Sequence, residues 1–236
     1  MKEDLNIDRE QKAIYERLSN KVIKSLNRRF INAQYVPNKT AALPVLMDMI
    51  PSGAIVGTAD SLTLLQVGIL REIRNRGKNE IINPFLRDDR GYFVADQDAR
   101  VKMMRNVFSC DIYLIGTNAV TLDGKLVNTD GFGNRVSAMI FGPKKVIIVV
   151  GANKIVKDLE EALQRIRKVC APMNAVRHAI KHHLAEFNKL PCVQTGICTN
   201  CNDHFRICHY TTIIEGEQKR RQGHINVIVV GESLGI

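Results

Sequence analysis

The sequence predicts an α/β protein: a mostly parallel sheet covered by helices on both faces, preceded by a helical segment at residues 1–50. Three observations carry this prediction. Residues 146–150 and 227–230 are unbroken runs of Val and Ile, the composition of strands buried on both faces. Strand-like and helix-like segments alternate through the middle of the chain, the order that produces a parallel sheet. With 236 residues and 45% hydrophobic content, the chain can fill a substantial core, and 1–236 reads as one domain.

Each element has its own local reason. Residues 9–30 place Ala13, Ile14, Leu18, Val22, Ile23, Leu26 and Phe30 at the three-and-four spacing of an amphipathic helix. A break is expected at 35–37, after which Asn38 caps a second helix running to Met49, ended by Pro51-Ser-Gly53 before a short strand at 54–56. These leading helices read as a lid or docking surface. A helix at 62–70, a strand at 80–83 and a helix at 92–108 come next, the last with Val94, Ala95, Ala99, Met103, Met104 and Val107 inward. A strand at 111–115 ends in Gly116-Thr-Asn118, and Asp123-Gly124 between strand formers signals a hairpin. Helices are expected at 153–168, with Ile155, Leu159, Leu163 and Ile166 as its stripe, and at 172–190.

The net charge of +10 favours anionic ligands such as phosphates, carboxylates or coenzyme A. Much of the excess falls in the basic stretches 21–29, 71–78 and 154–167, which read as solvated helix faces. Nucleic acid is not expected, because there is no Trp and the Phe and Tyr residues are scattered. The polar start of the chain lacks a secretory core, and no apolar run approaches the roughly 18 residues that span a bilayer. A cytoplasmic location without membrane insertion is the expectation.

Candidate binding residues gather in two loops. Gly57, Thr58, Asp60 and Ser61 lie between a strand and a helix amino terminus, where backbone N–H groups and the helix dipole can hold an anion. Equally, Asp60 or Ser61 can simply cap the helix. The second loop presents Asn128, Asp130, Gly131, Gly133, Asn134 and Arg135, close after Asn118 at a sheet edge where α/β proteins place ligands. Asp130 suits a general base and Arg135 an anion clamp, or the two can pair with each other and hold the loop.

Four of the six cysteines, Cys192, Cys198, Cys201 and Cys208, crowd a loop at 190–210 with spacing Cys-x5-Cys-x2-Cys-x6-Cys. Such a set of soft donors suits tetrahedral zinc or an iron–sulfur cluster. Reduced structural thiols or two disulfides are the alternative. His204 or His209 can substitute for one cysteine in a zinc site, and Arg206 offsets thiolate charge. Cys110 and Cys170 read as core residues, and the cluster His178, His182 and His183 is not assigned as ligands.

The segments Gly57-Thr-Ala-Asp-Ser-Leu-Thr63, Gly116-Thr-Asn-Ala-Val-Thr-Leu-Asp-Gly-Lys-Leu-Val-Asn128, Asp130-Gly-Phe-Gly-Asn-Arg-Val136, Phe141-Gly-Pro-Lys-Lys-Val146 and Ala171-Pro-Met-Asn-Ala-Val-Arg177 together resemble the LUD-domain proteins, the LutC-like lactate-utilization family. The resemblance implies a Rossmann-like sheet of the NagB/RpiA/CoA-transferase-like fold. It also implies a link to oxidation of L-lactate or a related organic acid, beside iron–sulfur oxidoreductase subunits. Members with a cysteine-rich tail resemble this chain in the tetrad, with Ser-Pro where Asp203-His204 stands here. No counterpart appears for the catalytic glutamate of coenzyme A transferases or the ATP loop of cyclo-ligases, so those activities are not carried over.

The leading expectation is therefore a LUD-type protein that binds a small anionic ligand and an iron–sulfur cluster, or else zinc, as an accessory subunit. Two others stand beside it: an enzyme acting on a phosphosugar, an acyl-coenzyme A or a folate-like anion, and a zinc-stabilised adaptor. Catalysis by the chain itself and oligomerisation are left open.

Overall fold

The computed structural model describes residues 7–181 and 183–236; the first six residues and His182 lie outside the described part. Its centre is a sheet of six strands: β1 (Asn32–Val36), β2 (Val56–Thr58), β3 (Ile81–Ile82), β4 (Ile112–Gly116), β7 (Lys145–Gly151) and β10 (Ile225–Val230). They lie in the order β1-β10-β7-β4-β2-β3, with every neighbouring pair parallel. Strands β7 and β10, the two Val/Ile runs, lie side by side in the interior of the sheet.

Successive strand residues point to opposite faces, and the core divides accordingly. Tyr113, Ile115, Val146, Ile148, Val227 and Val229 pack with Val22 and Leu26 of α1 (Asp8–Arg28). Ile112, Leu114, Ile147, Val149 and Ile228 pack on the other face against Leu46 of α2 (Lys39–Asp48), Leu64 of α3 (Leu62–Val67) and Ile73 of α4 (Ile69–Arg76). The expected α/β architecture, with helices on both faces and a helical amino-terminal segment, is what forms. Asn38 caps α2 by accepting from Ala41 N at 2.8 Å, and Gly68, at φ +82°, divides the expected 62–70 helix into α3 and α4.

Several boundaries differ from expectation. The break at 35–37 is the end of β1, an edge strand that needs only β10 as partner. Phe30, at φ +61°, lies beyond the end of α1 and is 37% exposed, and Ile14 faces outward. The helix expected at 92–108 begins later, as α5 (Gln97–Asn106), because Asp96 caps it through Ala99 N at 2.8 Å; Val94 is outside it and exposed.

A second sheet extends the expected hairpin by two strands. Its hairpin of β5 (Ala119–Thr121) and β6 (Leu126–Asp130) turns at Asp123-Gly124 as expected, and β8 (Ile155–Val156) and β9 (Tyr210–Ile214) add to its edges, giving the order β8-β5-β6-β9. Gly124, at φ +89°, is required there: a Cβ would stand 2.8 Å from the Ser25 carbonyl carbon, so the turn rests directly on α1. Arg29 fastens the same contact by donating to Asp123 O at 2.6 Å.

Between this sheet and the cysteine loop run α6 (Asn134–Ile140), α7 (Leu159–Arg165), a π-helical turn (Ile166–Cys170) and α8 (Ala171–Lys181), which ends before the 3-10 turn at Ala185–Lys189 and the short α9 (Pro191–Thr195). The helix expected at 153–168 is thus displaced by β8 at its start and changes pitch at its end.

Candidate functional site at the carboxyl ends of the strands

Strands β2, β4 and β7 end together at one edge of the main sheet, and the polar side chains just beyond them meet there. Asn118, just past β4, is the hub. Its Oδ1 accepts from Thr129 N at 2.9 Å and Arg135 Nη2 at 3.0 Å; its backbone N–H donates to Asn128 Oδ1 at 3.2 Å; its carbonyl accepts from Arg165 Nη1 at 3.0 Å. Arg135 completes its fork with Nη1 to Asn128 Oδ1 at 2.9 Å and Nη2 to Thr129 O.

Asp130 does not bind the Arg135 guanidinium in this arrangement. Its Oδ2 accepts from the backbone N–H groups of Arg135 at 3.0 Å and Val136 at 3.3 Å, holding the first turn of α6. The Arg135 guanidinium is thus engaged by the Asn118 and Asn128 amides, and the Asp130 carboxylate by the backbone of α6. Asn128 is fully buried, and its Nδ2 has no hydrogen-bond partner among the described residues.

The first loop is likewise internally engaged. Gly57 fits because a Cβ would come within 2.9 Å of Cys110 Sγ, and Thr58 Oγ1 bonds the carbonyls of Ala59 and Leu114 at 3.1 and 3.2 Å. Ser61 caps α3 by accepting from Leu64 N at 3.4 Å. Asp60 forms a bidentate pair with Arg177 of α8, at 2.7 and 2.8 Å, so its charge is met by the protein. Arg87 lies near this pair, stacked over Phe93 with its guanidinium 3.7 Å from the ring centroid; burial lowers its pKa, opposed by Asp60.

Lys154 changes the character of this edge most. It comes after β7 in Gly151-Ala-Asn-Lys154, at the head of a stretch expected to form a solvated basic face, and it is instead 4% exposed. Its Nζ meets Thr63 Oγ1 at 3.1 Å. Burial first, then Arg165 and Arg135, push its pKa down from 10.5 to about 8, with Cys170 opposing. Arg165 reaches Asn118 O, Cys170 Sγ at 2.6 Å and Ile236 O at 3.5 Å. Arg165 and Cys170 are five residues apart, and the π-helical turn between them places both toward Asn118; such turns recur at functional sites. Cys170 is buried as expected, yet it is no mere core residue: desolvation raises its pKa while Arg165 and Lys154 pull it down.

Three cations, Arg135, Arg165 and Lys154, therefore share this edge. Their side-chain hydrogen bonds go to amide, carbonyl and hydroxyl oxygens and a thiol, and no Asp or Glu among the described residues is a partner. Applying to β7 the sheet-edge rule that singles out the end of β4 would have found Lys154.

Gly131, Gly133 and Asn134 belong to a neighbouring surface. A Cβ on Gly131 would stand 3.3 Å from Ile207 Cα, so this loop touches the cysteine loop. Gly133, at φ +80°, and Asn134 line an open groove of about 670 Å³ with Phe132, Tyr210 and Thr212.

The cysteine loop has its own geometry. Cys192, Cys198, Cys201 and Cys208 are all free thiols and all line one cavity of about 20 Å³, floored by Ala171, Pro172 and Ala175 of α8. Burial and the neighbouring cysteines raise the Cys192 pKa. Arg206 donates to Cys208 Sγ at 3.3 Å and to the Cys208 and Cys201 carbonyls. His204 is largely exposed and His209 lines the groove, so neither joins the cavity. No set of three or more His, Cys, Asp or Glu among the described residues stands at metal-ligand spacing. The fit to a metal thus rests on donor chemistry: four unpaired thiols on one cavity beside a guanidinium.

A parallel sheet with polar and cationic side chains gathered beyond the carboxyl ends of its strands defines an α/β protein of the kind that places ligand sites there. The LUD domain profile matches residues 19–230, and the chain belongs to the LUD domain family. Among solved structures, a DUF162 family protein from Deinococcus radiodurans is 14% identical, with 93% of this chain and 98% of that one covered and a TM-score of 0.46. Chains of eIF2B beta and eIF2B delta from Chaetomium thermophilum are each 15% identical, cover 50% and 63% of this chain and 43% and 54% of their own, and have TM-scores of 0.34 and 0.33. No curated protein matches the sequence. No described helix is long and apolar enough to cross a membrane.

Proposed function

We propose that this LUD-domain protein binds a small organic anion of the lactate or pyruvate type at the Lys154–Arg165–Arg135 edge and serves cytoplasmic organic-acid oxidation as an accessory subunit beside iron–sulfur oxidoreductase subunits. One observation carries the reading: three buried or half-buried cations lie together, and no described Asp or Glu is among their hydrogen-bond partners. Buried charge is costly unless compensated, and a bound carboxylate would supply counter-charge. Asp130 acts here as a positioning residue that holds the first turn of α6, and Arg135, besides its charge, holds Asn118.

Cys192, Cys198, Cys201 and Cys208 are the residues that would hold a metal, on the cavity they share with Ala171, Pro172 and Ala175 of α8. An iron–sulfur cluster would supply one-electron transfer, whereas zinc would supply only a cross-link. The test is calorimetric titration of anaerobically purified protein with L-lactate and with pyruvate, together with metal analysis. Binding of either acid, weakened at least about tenfold in Arg165→Met, supports the anion seat. Absence of binding by the metal-replete wild type overturns it, and stoichiometric zinc without iron removes the redox role.

A further inference from the structure

Lysines that only attract anions usually keep the ammonium head hydrated at a surface. Lys154 is enclosed: it is 4% exposed, its hydrogen bond goes to one neutral hydroxyl, and no described Asp or Glu pairs with it. Arg165 and Arg135 act on it as like charges. Desolvation and an adjacent cation are the two means by which proteins turn a lysine into a nucleophile. The amine is covered by Gly235. Gly235, at φ +70°, lies so close that a Cβ there would come within 2.7 Å of Lys154 Nζ, and Leu234 N anchors the segment to Asn153 Oδ1 at 3.1 Å.

We propose that Lys154 is a reactive amine that captures the carbonyl carbon of a small 2-oxo acid as an imine, with Arg165 holding the acid's carboxylate. This rests on the organic-acid reading above and deepens it to a substrate class. The uncharged Nζ lone pair attacks C2, the carbonyl π electrons move to oxygen, and a proton passes from nitrogen to that oxygen. Loss of the resulting hydroxyl with a second proton gives C=N and one water, with no change of oxidation state. Thr63 Oγ1, at hydrogen-bond distance from Nζ, is placed to relay the proton.

The experiment is incubation of the full chain, wild type and Lys154→Arg, with pyruvate and sodium cyanoborohydride at neutral pH, then peptide mapping, alongside pyruvate titration of the wild type. The lower basicity of Lys154 predicts labelling of its peptide at least about tenfold above the exposed lysines. Lys154→Arg, which removes the primary amine, should lose that adduct. Labelling spread evenly over surface lysines, with wild-type pyruvate binding intact, overturns the imine and leaves the anion seat standing. Absence of both binding and adduct overturns the two together.

Discussion

Lys154 is held where its charge is least welcome, and the cost should be measurable. A shift from 10.5 to about 8 corresponds to about 3 kcal/mol of unfavourable interaction with the proton bound. The sign comes from linkage: between pH 8 and 10.5 the unfolded chain keeps a proton that the folded chain has released, so stability rises with pH across that window. Lys154→Met should therefore be more stable than wild type at pH 7, by about 1–3 kcal/mol, and the difference should shrink as pH approaches 10.5. Urea unfolding at pH 7 and pH 10 checks this, and a variant less stable at pH 7 would contradict it. Arg135 should behave in the opposite way. Its guanidinium satisfies two amide oxygens and a carbonyl, so Arg135→Ala should cost about 2–4 kcal/mol, whereas Asp130→Asn, which keeps a capping oxygen, should cost about 1 kcal/mol. Equal losses in a denaturant titration would show that the carboxylate, not the guanidinium, holds the loop.

Helix α8 joins the two halves of the site, because Arg177 grips Asp60 beyond β2 while the helix's first turn floors the cysteine cavity. The pair is largely buried, with side-chain exposures of 10% and 18%. Arg177→Ala should then cost about 3–5 kcal/mol, mostly because Asp60 loses its principal partner, and the double variant with Asp60→Ala should recover part of that loss. A double-mutant cycle without coupling would mean that α8 is held by its apolar face alone. This docking also separates what the sequence could convey from what it could not. The Val/Ile runs of β7 and β10, the Asn38 cap and the Asp123-Gly124 turn are legible because each is decided by residues within a few positions. Strand β1 is not: Asn32-Ala-Gln-Tyr-Val36 pairs on one side only and needs no continuous apolar run. The start of α5 is hidden because residues 87–93 close a small bridge of their own, with Arg87 and Arg100 stacked on Phe93. Lys154 is illegible as a site because a basic residue reads the same whether the tertiary fold turns it outward or encloses it. Asp130 and Arg135 stand out together in the sequence, but their spacing could not show that their hydrogen bonds would be used within the loop.

Across the whole molecule, the cysteine cavity sits beside the fold without supporting it. None of the residues between Pro191 and His209 belongs to the three buried apolar clusters, which draw instead on the main sheet, its flanking helices and the hairpin. The loop is held by Arg206 on Cys208 and Cys201, Asp203 on Phe205 N at 2.8 Å, the Phe205 ring beside Phe187, and the contact of Ile207 with Gly131. A metal held there would thus order the loop and its approach to Gly131, while the sheet would fold from its own core. Cys201→Ser should lose the bound metal yet keep its cooperative melt within about 4 °C of wild type, since about 1 kcal/mol moves the midpoint of a chain this size by roughly 2–4 °C. Circular dichroism melting with parallel metal analysis measures both. A variant that lost metal and its cooperative transition together would make the cysteine loop a structural keystone, and its metal a folding cross-link in place of a redox group.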